Sequence, residues 1–335
     1  LVFSCKKDEK DPQDIVSLET MAFCSYADPN SYGEIYTSKS DGTELTRVSS
    51  YSGNGNLDLD FNPIWSPDGT KILFYSYRDN YRQNIYVYDL ISKTEYRVGD
   101  VSNLSMISNA EWSRDSKKII YQGESLSTFE SHIFIVNVDG SGLFQFTQNG
   151  FSYSEPHWHP IKNEVFCFKQ NGVKQLVKFN SSTSEEIGLI ALDGEHICFF
   201  NDGTKFAFRH LTNDGISILN DDFTNLKHLT SDGGDFPSLS HDQLRIAYLI
   251  PDGSSNFSIA AINSTTGATK INLTNTFGGT QTFSSARKFF PSWSKSNFVF
   301  VANSLGQISS MKDELTAENN TTGFLSATDF PQIKP

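Results

Sequence analysis

The chain has 335 residues, of which 13% are aromatic and 20% charged, and its formal net charge at pH 7 is −12. No basic cluster offers the electrostatic footprint that a nucleic-acid backbone requires. No apolar run has the length of a membrane-spanning helix, and beyond Cys5 the odd count of three, Cys24, Cys167 and Cys198, makes no disulfide framework, with a Cys167–Cys198 bridge the one pairing left open.

In chain order, the first string is Leu1-Val2-Phe3-Ser4-Cys5, followed by the charged run Lys6 to Asp14, which lacks any hydrophobic pattern. An apolar residue, a small residue and then Cys resembles the end of a secretory signal closing on a bacterial lipobox. That resemblance implies acylation of Cys5. Residues 1–17 are then a signal-peptide remnant, lipobox and flexible tether, and residues 18–335 a single domain. A Cys followed by Lys and acidic residues is similar to surface-exposed lipoproteins of Bacteroidetes-type bacteria. It implies an outer-membrane-anchored protein of the cell envelope, periplasmic or surface-exposed.

A repeat of about 40–50 residues begins near Leu18, the period of blades built from short strands. Its fullest copy is Asn62-Pro63-Ile64-Trp65-Ser66-Pro67-Asp68-Gly69-Thr70-Lys71-Ile72-Leu73-Phe74. Positions aligned with Trp65 are Trp112, Trp158, Phe200, Leu239 and Trp293, with gaps of 47, 46, 42, 39 and 54 residues. The preceding Pro63 recurs as Pro156, Pro237 and Pro291, with Ala110 and Cys198 in its place twice. Each copy continues through an Asp-Gly-type turn to an apolar strand, then to an alternating strand such as Asn84 to Tyr88. Period-two alternation with this punctuation predicts antiparallel hairpins, four strands to a unit.

The two ends complement each other. Met21 to Tyr26 aligns with Ile72 to Tyr77, so the first unit lacks an inner strand, and Asp329-Phe330-Pro331-Gln332-Ile333 aligns with Asp235 to Leu239. The expectation is an all-β, seven-bladed β-propeller of four-stranded antiparallel blades, closed by the C-terminal strand joining the N-terminal blade. Closure removes open sheet edges. Six blades, the alternative, require a longer mean period than the gaps provide. The stretch from Thr274 to Lys288 reads as a polar loop.

The string Pro63 to Phe74, followed by Asn84-Ile85-Tyr86-Val87, resembles the repeat of TolB-like propellers. The same WD-like repeat occurs in the propeller domains of prolyl-oligopeptidase relatives. The likeness covers nearly all of the chain after Leu18 and is strongest in the copy around Trp65. It implies an envelope scaffold that binds proteins or ligands at one end of a central channel, with Trp65 and its counterparts packed between blades. It implies no catalytic residue.

The peptidase reading needs a Gly-x-Ser-x-Gly elbow, which is absent, as are His-Glu-x-x-His, Walker A, Gly-x-Gly-x-x-Gly and Cys-x-x-Cys strings. Two constellations remain. His157 and His159 lie two apart on one strand and therefore share a side, and His196 begins the neighbouring inner strand. Clustered His around a divalent metal is similar to oligogalacturonate lyases. The bland alternative is that both replace the polar or apolar positions Ile64 and Ser66. Asn54 to Asp60 carries oxygen side chains at alternate positions, but Leu59 and Trp65 stand where a calcium loop needs Gly and Glu, so a polar loop is expected.

Inner strands begin at the channel mouth, which makes the residues just before each Pro position candidates for ligand contact. These are Asn62, Asn109, Tyr153, Glu155, His196, Asp235 and Asp329. Short polar groups mixed with Phe236, Phe290 and Phe330 suit a glycan or a peptide. The expected function is a non-catalytic envelope lipoprotein that binds a glycan or partner protein at the channel mouth or blade edges, without a cofactor. The alternative is a metal-assisted polysaccharide lyase of the oligogalacturonate type, with His157, His159 and His196 holding a divalent metal.

Overall fold

The computed structural model describes residues 20–25, 33–39, 42–49, 59–79, 82–99, 102–148, 150–251, 256–273, 283–284, 292–293, 298–302, 308–312, 320–322 and 332–333. Cys5, the segment 1–17, the stretch Asn54 to Asp58, and Asp329 with Phe330 and Pro331 lie outside these residues.

The strands form successive antiparallel meanders. Sheet A holds β1 (Thr20–Ser25), β2 (Glu34–Lys39) and β3 (Thr46–Arg47); sheet B holds β4 (Asp60–Trp65), β5 (Lys71–Asp79), β6 (Arg82–Asp89) and β7 (Thr94–Val98). Sheet C runs through β8 (Leu104–Trp112), β9 (Lys118–Ser125), β10 (Ser131–Asn137) and β11 (Phe144–Gln145). Sheet D runs through β12 (Ser152–Trp158), β13 (Glu164–Asn171), β14 (Val173–Asn180) and β15 (Glu186–Ala191). Sheet E holds β16 (Gly194–Phe199), β17 (Lys205–His210), β18 (Gly215–Asn220) and β19 (Lys227–His228). Sheet F holds β20 (Asp235–Leu239), β21 (Arg245–Pro251), β22 (Asn256–Asn263), β23 (Ile271–Asn272) and β24 (Phe283–Ser284). Sheet G holds β25 (Ser292–Trp293), β26 (Phe298–Ala302), β27 (Ile308–Lys312) and β28 (Asn320–Thr322), and β29 (Gln332–Ile333) pairs with β1 in sheet A.

The expectation of seven four-stranded blades is corrected. Six sheets have four strands each, and sheet F has five. In sheet F, β23 covers only Ala260 and Ala261 of the longer strand β22. Backbone groups further along that edge remain open to pairing, and β24 takes them, with Asn256 opposite Ser284 and Phe257 opposite Phe283. The strand comes from the Thr274 to Lys288 stretch that the composition suggests is a loop.

The inner strands β4, β8, β12, β16 and β20 share one irregularity. Each shifts register against its neighbour between Phe61 and Ile64, Ser108 and Glu111, Ser154 and His157, Glu195 and Cys198, or Asp235 and Ser238. At the bulge Asn62, Asn109, Glu155, His196 and Phe236 have φ between 51° and 55°. Left-handed backbone is unfavourable for side chains other than Gly and is tolerated best by Asn, so these positions hold local strain. The residue after each bulge, Pro63, Ala110, Pro156, Ile197 or Pro237, is buried.

This geometry moves the repeat register by one residue in sheet E. Ile197, not Cys198, stands in the place of Pro63, and Phe199, not Phe200, in that of Trp65; Phe199 pairs with Phe206 as Trp65 pairs with Ile72. Adjacent rings at Phe199 and Phe200 hid the slip.

Hydrophobic clusters lie between sheets. Leu73, Tyr75 and Val87 of sheet B pack on Ile107, Trp112 and Tyr121 of sheet C. Ile120 and Ile133 of sheet C pack on Val165, Cys167 and Val177 of sheet D. Polar stitches accompany them. The Trp112 indole donates to the Ile64 carbonyl across 3.1 Å, the Trp293 indole to Ser238 O across 2.8 Å, and Ala110 N to the Tyr75 hydroxyl across 2.7 Å.

Sheet B also buries a charge network where its inner strand begins. The Arg78 side chain, 5% exposed, reaches Asp60 at 2.5 Å and also pairs with Glu95. Its guanidinium lies 4.4 Å from the Tyr86 ring centroid, and its Nε donates to Ser76 Oγ across 2.9 Å. Removing the cation strands two carboxylates. Arg78→Ala is expected to lower the unfolding free energy by about 3–5 kcal/mol in urea denaturation; a loss under about 1 kcal/mol is what a solvent-screened pair would give.

Candidate functional site

The bulges carry a line of hydrogen bonds from sheet C to sheet F. Gln122 Oε1 on β9 accepts from Asn109 Nδ2 at 3.0 Å and from Glu155 N at 3.2 Å. Glu155 Oε2 in turn accepts from His196 N at 2.6 Å. The His196 imidazole bonds Asp235 Oδ1 through Nδ1 at 2.7 Å and stacks on Phe236 with ring centroids 3.8 Å apart. Asp235 also accepts from Arg209 at 2.7 Å and from Phe236 N at 2.8 Å. Burial raises the Asp235 carboxyl's pKa, but His196 and Arg209 outweigh it and hold the group below the ordinary carboxylate value.

Of the residues expected at the mouth, Asn109, Glu155, His196 and Asp235 are thus brought into one bonded line. Asn62 occupies the equivalent bulge of sheet B. Tyr153 is 3% exposed and packs against Phe146 and Phe179 in the cluster between sheets C and D. Burial, followed by the charges of Cys167 and Glu186, pushes its hydroxyl up to about 12. Tyr153 is a core residue.

Toward the other end of the inner strands lies a cavity of about 450 Å³, lined by Glu111, Arg114, His157, Trp158, Phe199 and Asn201 among others. Glu111 organises one wall. Its carboxylate bonds His157 Nδ1 at 2.9 Å and accepts from Trp158 N at 3.1 Å. Burial pushes the His157 pKa down, but the hydrogen bond and charge of Glu111 and the charge of Glu155 more than offset it, so the value lies above that of an ordinary histidine. His157 Nε2 and Trp158 Nε1 are buried without a hydrogen-bond partner. The sequence signal for Glu111 was available: it is a carboxylate at the position of Ile64, one residue before the aligned Trp.

His159 is explained by the turn it closes. In the copies with Ser, Ser66 Oγ donates to Asp68 Oδ1 at 2.6 Å and accepts from Lys71 N at 2.9 Å; Ser113 and Ser240 repeat this. His159 takes the same position. Its Nδ1 accepts from Ile161 N at 3.1 Å and Lys162 N at 2.8 Å, and Nε2 donates to Gly203 O at 2.9 Å. Gly203 is required there, since a Cβ would lie 2.4 Å from the imidazole and its φ is 68°. Both ring nitrogens are occupied, and burial lowers the pKa, so the ring is the neutral Nε2–H tautomer.

The three imidazoles expected around one metal therefore bond three different partners: His157 to Glu111, His159 to its own turn and Gly203, and His196 to Asp235. Among the described residues, His159, Glu164 and Asp221 form a group whose candidate ligand atoms lie within 4.8 Å of one another. Its imidazole lone pair is used by backbone N–H groups, and the Lys162 ammonium is paired with Asp221. A cation has poor access to that set. Cys167 and Cys198 are free thiols; burial pushes Cys198 up to about 11 and Cys167 higher still.

Residues 19–297 match the family described as the TolB beta propeller domain. The chain belongs to this TolB propeller family. TolB from Acinetobacter baumannii superposes with a TM-score of 0.58 at 17% identity, over 95% of this chain and 67% of that one. An oligogalacturonate lyase from Vibrio parahaemolyticus gives 0.60 at 12% identity, over 91% and 85% of the two chains. A puromycin-hydrolyzing peptidase of Mycobacterium tuberculosis gives 0.65 at 10% identity, over 92% of this chain but 54% of that one. At these identities the likeness is one of fold, and fold does not carry chemistry.

The His157 assignment has a pH signature. A folded pKa above the unfolded value of about 6.5 means that the protonated ring stabilises the fold below that pH and that the contribution is lost as pH rises through the folded pKa. The stability gap between wild type and His157→Gln in denaturant titrations is expected to be larger at about pH 6 than at about pH 8.5. A gap independent of pH would mean that the Glu111 contact does not charge the ring.

Proposed function

We propose that this TolB-family propeller is a non-catalytic binding protein of the cell envelope that offers the bulged ends of its inner strands to a partner protein. The observation that carries this reading is the bonded line Gln122–Glu155–His196–Asp235–Arg209. Groups able to act as acid, base or ligand are tied to one another across four sheets and are not aimed at a common point where a reacting atom could sit. A line held in this way is pre-organised. It presents a carboxylate, an imidazole and a stacked phenyl ring without the ordering cost of free side chains, which favours recognition of a surface. The lyase alternative requires His157, His159 and His196 around one ion, and their commitments to separate partners favour no such site.

The test is capture of partners from an envelope extract by the immobilised propeller, followed by titration of the captured protein. Glu155→Ala and Asp235→Ala, each checked for folding by circular dichroism, are expected to weaken binding about tenfold or more, which corresponds to roughly 1.4 kcal/mol. Binding by both variants at wild-type strength would remove the mouth from the interface.

Envelope attachment through an acylated Cys5 belongs to the same proposal and is supported by the Leu1 to Cys5 string. Cys5→Ala in the full-length precursor is expected to release the protein from the membrane fraction, and a variant that stays membrane-bound would refute the lipid anchor.

A further inference from the structure

A second cavity, of about 480 Å³, lies on sheet C at the end where the inner strands begin, and neither the mouth line nor the Glu111 wall uses it. That volume is within the range of about 300–1,000 Å³ typical of small-molecule sites. The cavity is bounded by the 102–104 connection, the 125–130 turn between β9 and β10, and the exposed part of β10 and β11.

Its floor depends on Gly123. A Cβ there would come within 2.6 Å of Leu104 Cδ1 and 2.9 Å of the Phe134 ring. The missing side chain lets Phe134 lie beside Tyr121, with the two rings stacked at 5.5 Å, and face the cavity. Beside it stands His132, whose side chain is 5% exposed. His132 Nε2 lies 3.5 Å from Glu130 Oε2, and Nδ1 has no hydrogen-bond partner. Nδ1 is itself buried away from the cavity, so His132 forms part of the wall and holds Glu130 at its edge. Burial lowers its pKa against the opposing charge of Glu130, so at neutral pH the ring is uncharged.

The rim is made of groups that both donate and accept. Ser125, Ser127 and Thr128 supply hydroxyls, and Asn103 and Gln145 supply amides. Among the described residues, Glu130, with its side chain 31% exposed, is the one carboxylate of the lining, which holds no lysine or arginine, although Arg82 donates to the carbonyl of the lining residue Ser102 at 2.7 Å. Phe129 holds a left-handed backbone, φ 58°, at the tip of the same turn, with its ring 73% exposed.

We infer that this cavity binds a neutral saccharide unit, with Phe134 against a sugar face, Glu130 accepting from adjacent hydroxyls, and the hydroxyls and amides of the rim bonding the others. The Glu130 carboxylate in the wall argues against phosphate or carboxylate ligands. The density of hydroxyls and amides argues against an apolar one. A sugar presents paired hydroxyls that donate and accept together with an apolar ring face, and the wall offers the complement of each.

The test is saturation-transfer-difference NMR, with titration, of the full chain against methyl glycosides of glucose, galactose and N-acetylglucosamine, with glucuronate as a charged comparison. At least one neutral glycoside is expected to bind with a Kd of about 1 mM or below, and glucuronate to bind at least about tenfold more weakly beside Glu130. Glu130→Gln is expected to weaken the neutral sugar about tenfold. Ser127→Trp, on an exposed turn that tolerates substitution, is expected to fill the cavity and abolish the signal. Ile91→Ser, on a distant exposed turn, should bind as wild type. The inference is overturned if no neutral glycoside binds at about 10 mM, if Ser127→Trp binds as well as wild type, or if glucuronate binds as tightly as the neutral sugars.

Discussion

Among the described residues, the hydrophobic clusters lie between sheets and not within one. Sheets A to F bury their apolar side chains against a neighbouring sheet, so Tyr75 and Val87 need Tyr121, and Ile133 needs Val177. Apolar burial is roughly proportional to the area removed from water, and a four-stranded meander standing alone would leave both faces wet. The succession of sheets, the pairing of Gln332–Ile333 with the first of them, and the placement of every site considered above follow from that need for neighbours. The Trp112 and Trp293 indoles strengthen the same boundaries by satisfying a carbonyl of the preceding inner strand.

The inner strands meet a second constraint. They crowd together, and a straight ladder would keep their backbone groups paired only within each sheet. This bulge breaks the ladder in each of five sheets and turns peptide groups toward the neighbouring sheet, where Gln122, Glu155 and Asp235 accept from them or from their side chains. Strain at Glu155 and His196, which are poor left-handed residues, is offset by those bonds, and Phe236 bonds Asp235 and stacks on His196. Asn62 and Asn109, which tolerate the conformation, stand at the two remaining bulges. The device that closes the packing is therefore also what assembles the proposed recognition surface.

His157 and His159 show how one strand assigns different fates to similar residues. His159 closes a turn by doing the work of a Ser and an Asp, using both ring nitrogens. His157 faces the cavity beside Glu111 and keeps one nitrogen unpaired. Two imidazoles on one side of a strand invite a metal reading, but the backbone N–H groups of Ile161 and Lys162 claim the lone pair that a metal would need.

Much of the fold was legible along the chain because its signals are local. Strand alternation, the Ser-x-Asp turns and the recurring Pro and Trp positions repeat every few dozen residues, and each has a mechanism within reach of its neighbours in sequence. The bonded mouth line was legible only as a set of positions, since Asn109, Glu155, His196 and Asp235 could be marked but their partners could not. Tyr153 was placed on the wrong side of its strand because the bulge reverses the alternation two residues later. Sheet F acquired its fifth strand, sheet E lost one residue of register, and Gly123 opened a cavity under Phe134 through contacts between segments distant along the chain. Local pattern by itself determined that these residues make hairpins of a TolB-like repeat. Which side chains meet, and therefore what the surface can bind, was decided only by tertiary packing, because pairing across sheets depends on backbone irregularities that no single repeat encodes.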